Sequence, residues 1–384
     1  MKNIVFVVLL FLGIGWVHVK WMSTKPLAGV EMPESIDGQK SWWNGKLQAE
    51  AENELRNELV MFEHAVRLRN QIQWEALGKL NSSNPTICSP SGHFIKQGVA
   101  FAGVRKTNRE RVNEVMRRWR KVFDWLEDRG KFGLFIVAAN KHHALPTEEL
   151  LDVAGLCSAA PDERLLSNQL QNGFVENQLP HIMCGPWFRQ MADTLSYPLF
   201  PKYGTHWSIA SNYLVADSVM RRMEQVWSEP LPRRIDKGGE WDTIPRKADA
   251  DLLRTMNLLK NNFSDSLWYP DFEWRFTDVD PEKLPRVLRI GDSFGEQVQY
   301  YGQLFVAFRP RSRLFYYNRE DVRYSLNEDG TTEKSISSDV MPQDIQRELL
   351  ESDGLIVGYS EITFLRHSEI FFRRVEDLIP FDEE

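Results

Sequence analysis

The residues best suited to chemistry in this chain lie in Arg286-Val-Leu-Arg-Ile-Gly-Asp-Ser-Phe294. An apolar strand ends in Gly291, and Ser293 follows just where a helix can begin. Glycine lets the chain turn tightly, and the helix start raises Ser293 to the carboxyl edge of a sheet. There its hydroxyl is accessible as a nucleophile, and its own backbone N–H can face an oxyanion. Asp292 adjoins it, with a side chain expected to point away. The plainer alternative is a strand-to-helix turn with Asp292 or Ser293 as its cap.

A serine nucleophile needs a base. His206 stands in Tyr203-Gly-Thr-His-Trp-Ser208, directly ahead of a helical pattern from Ile209 to Met223, with Ser208 placed to cap that helix. A histidine held there beside Trp207 with one face open suits a general base. The rival pair, His142-His143, sits ahead of Pro146 and reads as a surface loop. The acid that would orient His206 stays open. Asp217 lies eleven residues farther along, on the order of 15 Å away in one helix, and is a poor candidate. Asp251 and Glu361 can serve only through tertiary contact, and a backbone carbonyl behind a Ser-His dyad would serve equally. Tyr316 and Tyr317 are weak candidates for a second oxyanion donor; core packing suits them better.

These groups need a rigid frame. Apolar residues recur at helical spacing from about Lys46 to Gln73 (Leu55, Leu59, Phe62, Val66), and a second helix is expected over Asn108–Asp128, with Gly130 at its stop. The run Phe132–Ala139 suits a buried parallel strand. Further strands are expected at Val287–Ile290 and Leu355–Tyr359, with a helical stretch near Phe371–Leu378. Buried strands separated by amphipathic helices predict an α/β sandwich with a mainly parallel sheet. Residues 228–251, carrying Pro230, Pro232, Gly238, Gly239 and Pro245, read as a long surface insertion.

The N-terminus has its own signal. Lys2 precedes an apolar run from Ile4 to Val17, which suits a signal-peptide core or a short membrane anchor. No small-residue cleavage site follows, so residues 1–23 are expected to be an uncleaved anchor with Lys2 on the cytoplasmic side. Residues 24–45 read as a stalk and 46–384 as the folded domain. About 360 residues beyond the anchor suffice for a large core. The net charge of -7 argues against a nucleic-acid surface. Beyond the membrane, Cys88, Cys157 and Cys184 permit one disulfide, and with no C-x-x-C spacing a zinc site is not expected. No cofactor is implied.

Gly291-Asp-Ser-Phe294 together with Gly204-Thr-His-Trp207 resembles the SGNH-hydrolase-like domain of the alginate O-acetyltransferase family, in which the His block precedes the Ser block as it does here. Asn70-Gln-Ile-Gln is similar to that family's N-terminal Asn-Gln-Ile helix end, Asp251-Leu252 to its Asp-Leu element, and Gly358-Tyr-Ser-Glu361 to its late strand bearing a glutamate. The resemblance spans most of the chain after residue 40, loosely between blocks. It departs at Gly204, where well-studied members carry the Asp of a triad. It implies transfer of an acetyl group to a hydroxyl of an exported polysaccharide, with Ser293 as nucleophile and His206 as base. It also implies a periplasmic or envelope location and a membrane-bound acyltransferase partner that supplies the acetyl group. An acetylesterase of the same fold, and an inactive polysaccharide-binding scaffold, are the other readings. The 13 tryptophans could supply sugar-stacking surfaces, although most tryptophans pack cores.

Overall fold

The computed structural model describes residues 62–78, 86–260, 263, 268–310, 312–327, 332–337 and 340–381. The expected anchor, the stalk and the helical pattern before Phe62 lie outside the described residues. Among those described, no helix is long and apolar enough to cross a membrane.

In chain order the first half comprises α1 (Phe62–Leu77), β1 (Thr86–Cys88), β2 (Phe94–Lys96), α2 (Gln97–Val104), α3 (Arg109–Glu127), β3 (Phe132–Ala138), α4 (Thr147–Ala154), α5 (Leu166–Glu176), β4 (His181–Met183), α6 (Cys184–Met191) and α7 (Ile209–Met223). The second half follows as β5 (Arg234–Asp242), α8 (Asp251–Thr255), β6 (Tyr269–Phe276), β7 (Val287–Gly291), α9 (Ser293–Tyr300), β8 (Leu314–Tyr316), β9 (Glu320–Leu326), β10 (Thr332–Ser337), α10 (Pro342–Glu351), β11 (Gly354–Ser360) and α11 (Glu361–Val375). The central sheet has seven strands in the order β10-β9-β8-β7-β11-β3-β4. Strands β8, β7, β11, β3 and β4 run parallel, and β9 and β10 extend the sheet antiparallel.

The parallel strands are apolar along their length because both faces are covered. Phe135, Val137, Leu355, Val357 and Tyr359 pack toward α3, α5 and α11, together with Trp119, Phe123, Phe174 and Phe364. Leu134, Ile136, Ala138 and Ile356 face the other layer, where Phe188, Trp207, Val215, Val219, Phe294 and Val298 cover them. α3 illustrates how pattern becomes structure. Val112, Val115, Met116, Trp119, Val122, Phe123 and Leu126 form its buried stripe, and the Asn108 side chain accepts from the Glu110 N–H as N-cap. Gly130 closes the following turn at φ 65°.

Four expectations change on contact with the structure. The last helix begins at Glu361, directly after β11 and ten residues ahead of the stretch read from its apolar content, and ends at Val375. No loop separates strand from helix, so no turn residue marks the boundary. All three cysteines are free thiols. His142 and His143 are buried, contrary to the surface loop expected of them; their partners lie far away in sequence. The 228–251 segment contributes β5 to a two-stranded antiparallel sheet with β6, and Ala248, Asp249 and Ala250 at its end are buried.

Candidate active site

β7 and β11 end side by side, with Gly291 opposite Gly358. A Cβ at Gly295 would stand 2.5 Å from the Gly358 carbonyl oxygen, and one at Gly291 2.9 Å from the same atom. Only glycine at these places lets α9 lie directly on the backbone of β11. Asp292 then fastens the helix start. Its Oδ1 accepts the N–H groups of Phe294 (2.9 Å) and Gly295 (3.4 Å), while its Oδ2 accepts the Ser360 N–H (2.8 Å) and the Thr363 hydroxyl. Asp292 is therefore a fully engaged cap turned away from the serine hydroxyl. Ser293 opens α9 half-exposed, and as first residue of the helix its N–H has no intrahelical acceptor.

His206 reaches Ser293 from the other side. Trp207 is buried, and its indole N–H donates to Asn212 Oδ1 at 2.7 Å; Ser208 caps α7 by accepting the Ser211 N–H. The imidazole packs edge-on against Phe294, with ring centroids 4.7 Å apart. Its Nε2 lies 2.9 Å from Ser293 Oγ, and its Nδ1 lies 2.8 Å from Asp251 Oδ2. The second oxygen of Asp251 accepts the Thr205 N–H at 2.5 Å. Ser293, His206 and Asp251 thus form one continuous line of hydrogen bonds.

Gly204, where the family pattern places an Asp, is shut off by this arrangement. A Cβ there would meet the Ala248 carbonyl oxygen and Pro201 Cγ at 2.8 Å each. The 248–251 segment fills that space and brings its own carboxylate. The segment is tied to the histidine loop again by the Leu253 N–H, which donates to the Tyr203 carbonyl at 3.1 Å. α1 supports it from below, as the Asn70 side chain donates to the Met256 carbonyl at 2.9 Å.

Two neighbouring carboxyls are kept in different states. Burial, reinforced by the charge of Asp251, pushes buried Asp249 up to about 8, although the Ile209 N–H it accepts opposes that shift. Burial also works to raise Asp251, but the hydrogen bond and charge of His206, the Thr205 N–H and the Lys141 charge outweigh it and hold Asp251 below the usual carboxylate range. At neutral pH the charge therefore sits on the carboxylate that faces the imidazole.

The other sequence candidates go elsewhere. Glu361 does not approach His206; it meets His143 Nε2 at 2.8 and 2.9 Å and His142 Nε2 at 3.3 Å. Asp217 pairs with Arg221 on the surface of α7. Tyr317 meets Tyr316 edge-on and His367 at a tilt, with centroids 4.4 and 4.8 Å away, and its N–H donates to the Gly291 carbonyl. Gly295 and Lys141 carried no signal in the sequence, because a close backbone approach and a buried ammonium both depend on distant segments.

His142, His143 and Glu361 have the donor types for a cation, their ligand atoms lying within 4.8 Å of one another. The proton positions oppose one. Arg189 donates to His143 Nδ1, so the ring proton sits on Nε2 and points at Glu361. A cation on Nε2 would move that proton onto Nδ1, against the guanidinium. The cluster is better suited to bracing the fold, with Glu361 held down to about 2: burial alone would raise it, and contact with His143 and His142 prevails.

Fold and site together define an α/β protein with a Ser-His-Asp line at the carboxyl edge of a mainly parallel sheet. No protein family's sequence profile and no curated protein matches the chain. Among solved structures it is similar to the O-acetyltransferase domain of Pseudomonas putida AlgJ, with 16% identity, 73% of this chain and 92% of that one covered, and a TM-score of 0.44. It is also similar to Pseudomonas aeruginosa AlgX (11% identity, 73% and 67% covered, TM-score 0.44) and to Bacillus cereus PatB1 (12%, 72% and 96%, 0.39).

Proposed function

We propose that the chain is a serine-dependent O-acyltransferase that moves an acetyl group to a hydroxyl of an exported polysaccharide. The observation that carries this reading is the Ser293–His206–Asp251 line, with heavy-atom distances of 2.9 and 2.8 Å. In the first half-reaction His206 Nε2 takes the proton of Ser293 as Oγ attacks the acyl carbon, and the leaving group of the donor departs with that proton. Asp251 accepts from Nδ1–H, fixing the tautomer that leaves Nε2 free and stabilising the imidazolium. The Ser293 N–H faces the oxyanion, and such a donor typically contributes about 3 kcal/mol. In the second half-reaction the acceptor hydroxyl gives its proton to His206 and attacks the acetyl-serine, and Ser293 regains the proton. The resemblance of the Ser and His blocks supports acetyl as the group and a polysaccharide hydroxyl as acceptor. On the same basis the donor reaches the site through a membrane-bound acyltransferase, in the periplasm or cell envelope, with the N-terminal segment as inner-membrane anchor.

Hydrolysis by the same site is the second reading, favoured by the half-exposed position of Ser293, which water can reach. The scaffold reading loses its motive, since a carboxylate from α8 stands where Gly204 offers none. The test is turnover of a chromogenic acetyl ester by the full-length chain, with and without an oligosaccharide acceptor. Ser293→Ala and His206→Ala should each abolish turnover. O-acetylated sugar marks the transferase and free acetate alone the esterase. Undiminished turnover in either variant would refute both.

A further inference from the structure

Lys141 is buried in the turn that follows β3, with about 1% of its surface exposed. A buried ammonium persists only where polar groups surround it. Here Nζ donates to three backbone carbonyls, those of Phe94 (2.7 Å), Lys202 (2.8 Å) and Gly204 (2.7 Å). Two of these belong to the loop that carries His206, and Gly204 stands next to Thr205, whose N–H is held by Asp251. Phe94 is itself tied to that loop, its N–H donating to the Lys202 carbonyl at 2.7 Å. One side chain therefore joins three segments distant in sequence, at the place where the imidazole and its carboxylate meet.

We infer that Lys141 is a positioning residue for the acyl-transfer site, holding the Gly204–His206 loop in place beside Asp251 through the carbonyls of Phe94, Lys202 and Gly204. The inference rests on the function proposed above. The charged and titratable groups facing Asp251 are His206 from the loop before α7, Lys141 from the turn after β3, and Asp249 from its own segment. Lys141 and His206 favour the carboxylate, and Asp249, being neutral, does not compete for the charge. Removing the ammonium takes away one of the contributions that favour the Asp251 carboxylate, so Asp251 takes up a proton at higher pH.

The test compares Lys141→Met, Lys141→Arg and Asp251→Asn with the wild-type full-length chain. For Lys141→Met, kcat should fall by about 10- to 100-fold, the size expected of a small misplacement at a reacting centre, with KM little changed. The acid limb of kcat/KM should move to higher pH, and this movement should vanish when Asp251→Asn is added. Lys141→Arg, which keeps the charge but fits poorly, should lose kcat without moving the limb, and it serves also if Lys141→Met fails to fold. A second readout needs no turnover: the downfield NMR signal of the His206 Nδ1 proton should persist to lower pH in wild type than in Lys141→Met. An unchanged pH response in both readouts, or an equal kcat loss with and without Asp251, would overturn the inference. A moved NMR response in a chain without turnover would instead uphold the lysine's role and fail the proposed function.

Discussion

Replacing Asp251 by Asn tests the triad with almost no change of shape. In the native site one oxygen accepts the Thr205 N–H at 2.5 Å and the other accepts the His206 Nδ1–H at 2.8 Å. An amide offers one oxygen and one NH2. With its oxygen toward Thr205, the NH2 faces Nδ1, which must then accept; the ring proton moves to Nε2 and Ser293 has no base. With its oxygen toward His206, the NH2 meets the Thr205 N–H donor to donor. The first arrangement avoids that clash, so the imidazole is held in the wrong tautomer. The expected loss in kcat is about 10³- to 10⁴-fold, roughly 4 to 5.5 kcal/mol of activation free energy. The assay is steady-state turnover of a chromogenic acetyl ester, with circular dichroism to verify the fold. Restoring an Asp at position 204 in this background should recover nothing, because its Cβ would stand 2.8 Å from the Ala248 carbonyl. A folded Asp251→Asn that keeps more than a tenth of wild-type kcat would refute the reasoning.

Other consequences are equally measurable. Gly295→Ala places a methyl 2.5 Å from the Gly358 carbonyl and should lift α9 from β11; denaturant unfolding should show a loss of about 1 to 3 kcal/mol, and kcat should drop at least severalfold because Ser293 opens the same helix. Glu361→Ala strands two buried histidines and should cost about 3 kcal/mol of stability by chemical denaturation. With the folded pKa of Glu361 near 2 against an ordinary 4.5, its contribution is complete above about pH 4.5 and fades as pH falls toward 2; burial also lowers His143, so both groups make acid destabilising. The stability gap between wild type and Glu361→Ala should therefore narrow only as pH falls from about 4.5 toward 2. In thiol labelling, exposed Cys157 should react at once, whereas Cys184, buried and with its pKa pushed well up by that burial, should react only after unfolding.

Parts of this architecture were legible because they are written locally. The strand β7, its terminal Gly291 and the serine after it occupy consecutive positions, and α7 announces its start through Ser208. The capped amphipathic helix α3 is equally plain, since its stripe and both its stops lie within one stretch. What stayed hidden depends on distance along the chain. Asp251 stands 45 residues from the histidine it meets, at the end of a segment whose prolines and glycines read only as surface. Glu361 and His143 are 218 positions apart, so the pair His142-His143 looked exposed for want of a visible partner. Gly204 looked like a missing acid until the packing of Pro201 and Ala248 showed that no side chain fits there. The antiparallel strand β10 gave no sign either, for its exposed polar residues carry little apolar alternation.

The most direct measurement is peptide mass mapping of the full-length chain after brief exposure to an activated acetyl ester. Acetylation should appear on the peptide containing Ser293, vanish in Ser293→Ala, and disappear when an acceptor hydroxyl is added. Acetyl found elsewhere, or retained when Ser293 is replaced, would contradict the account.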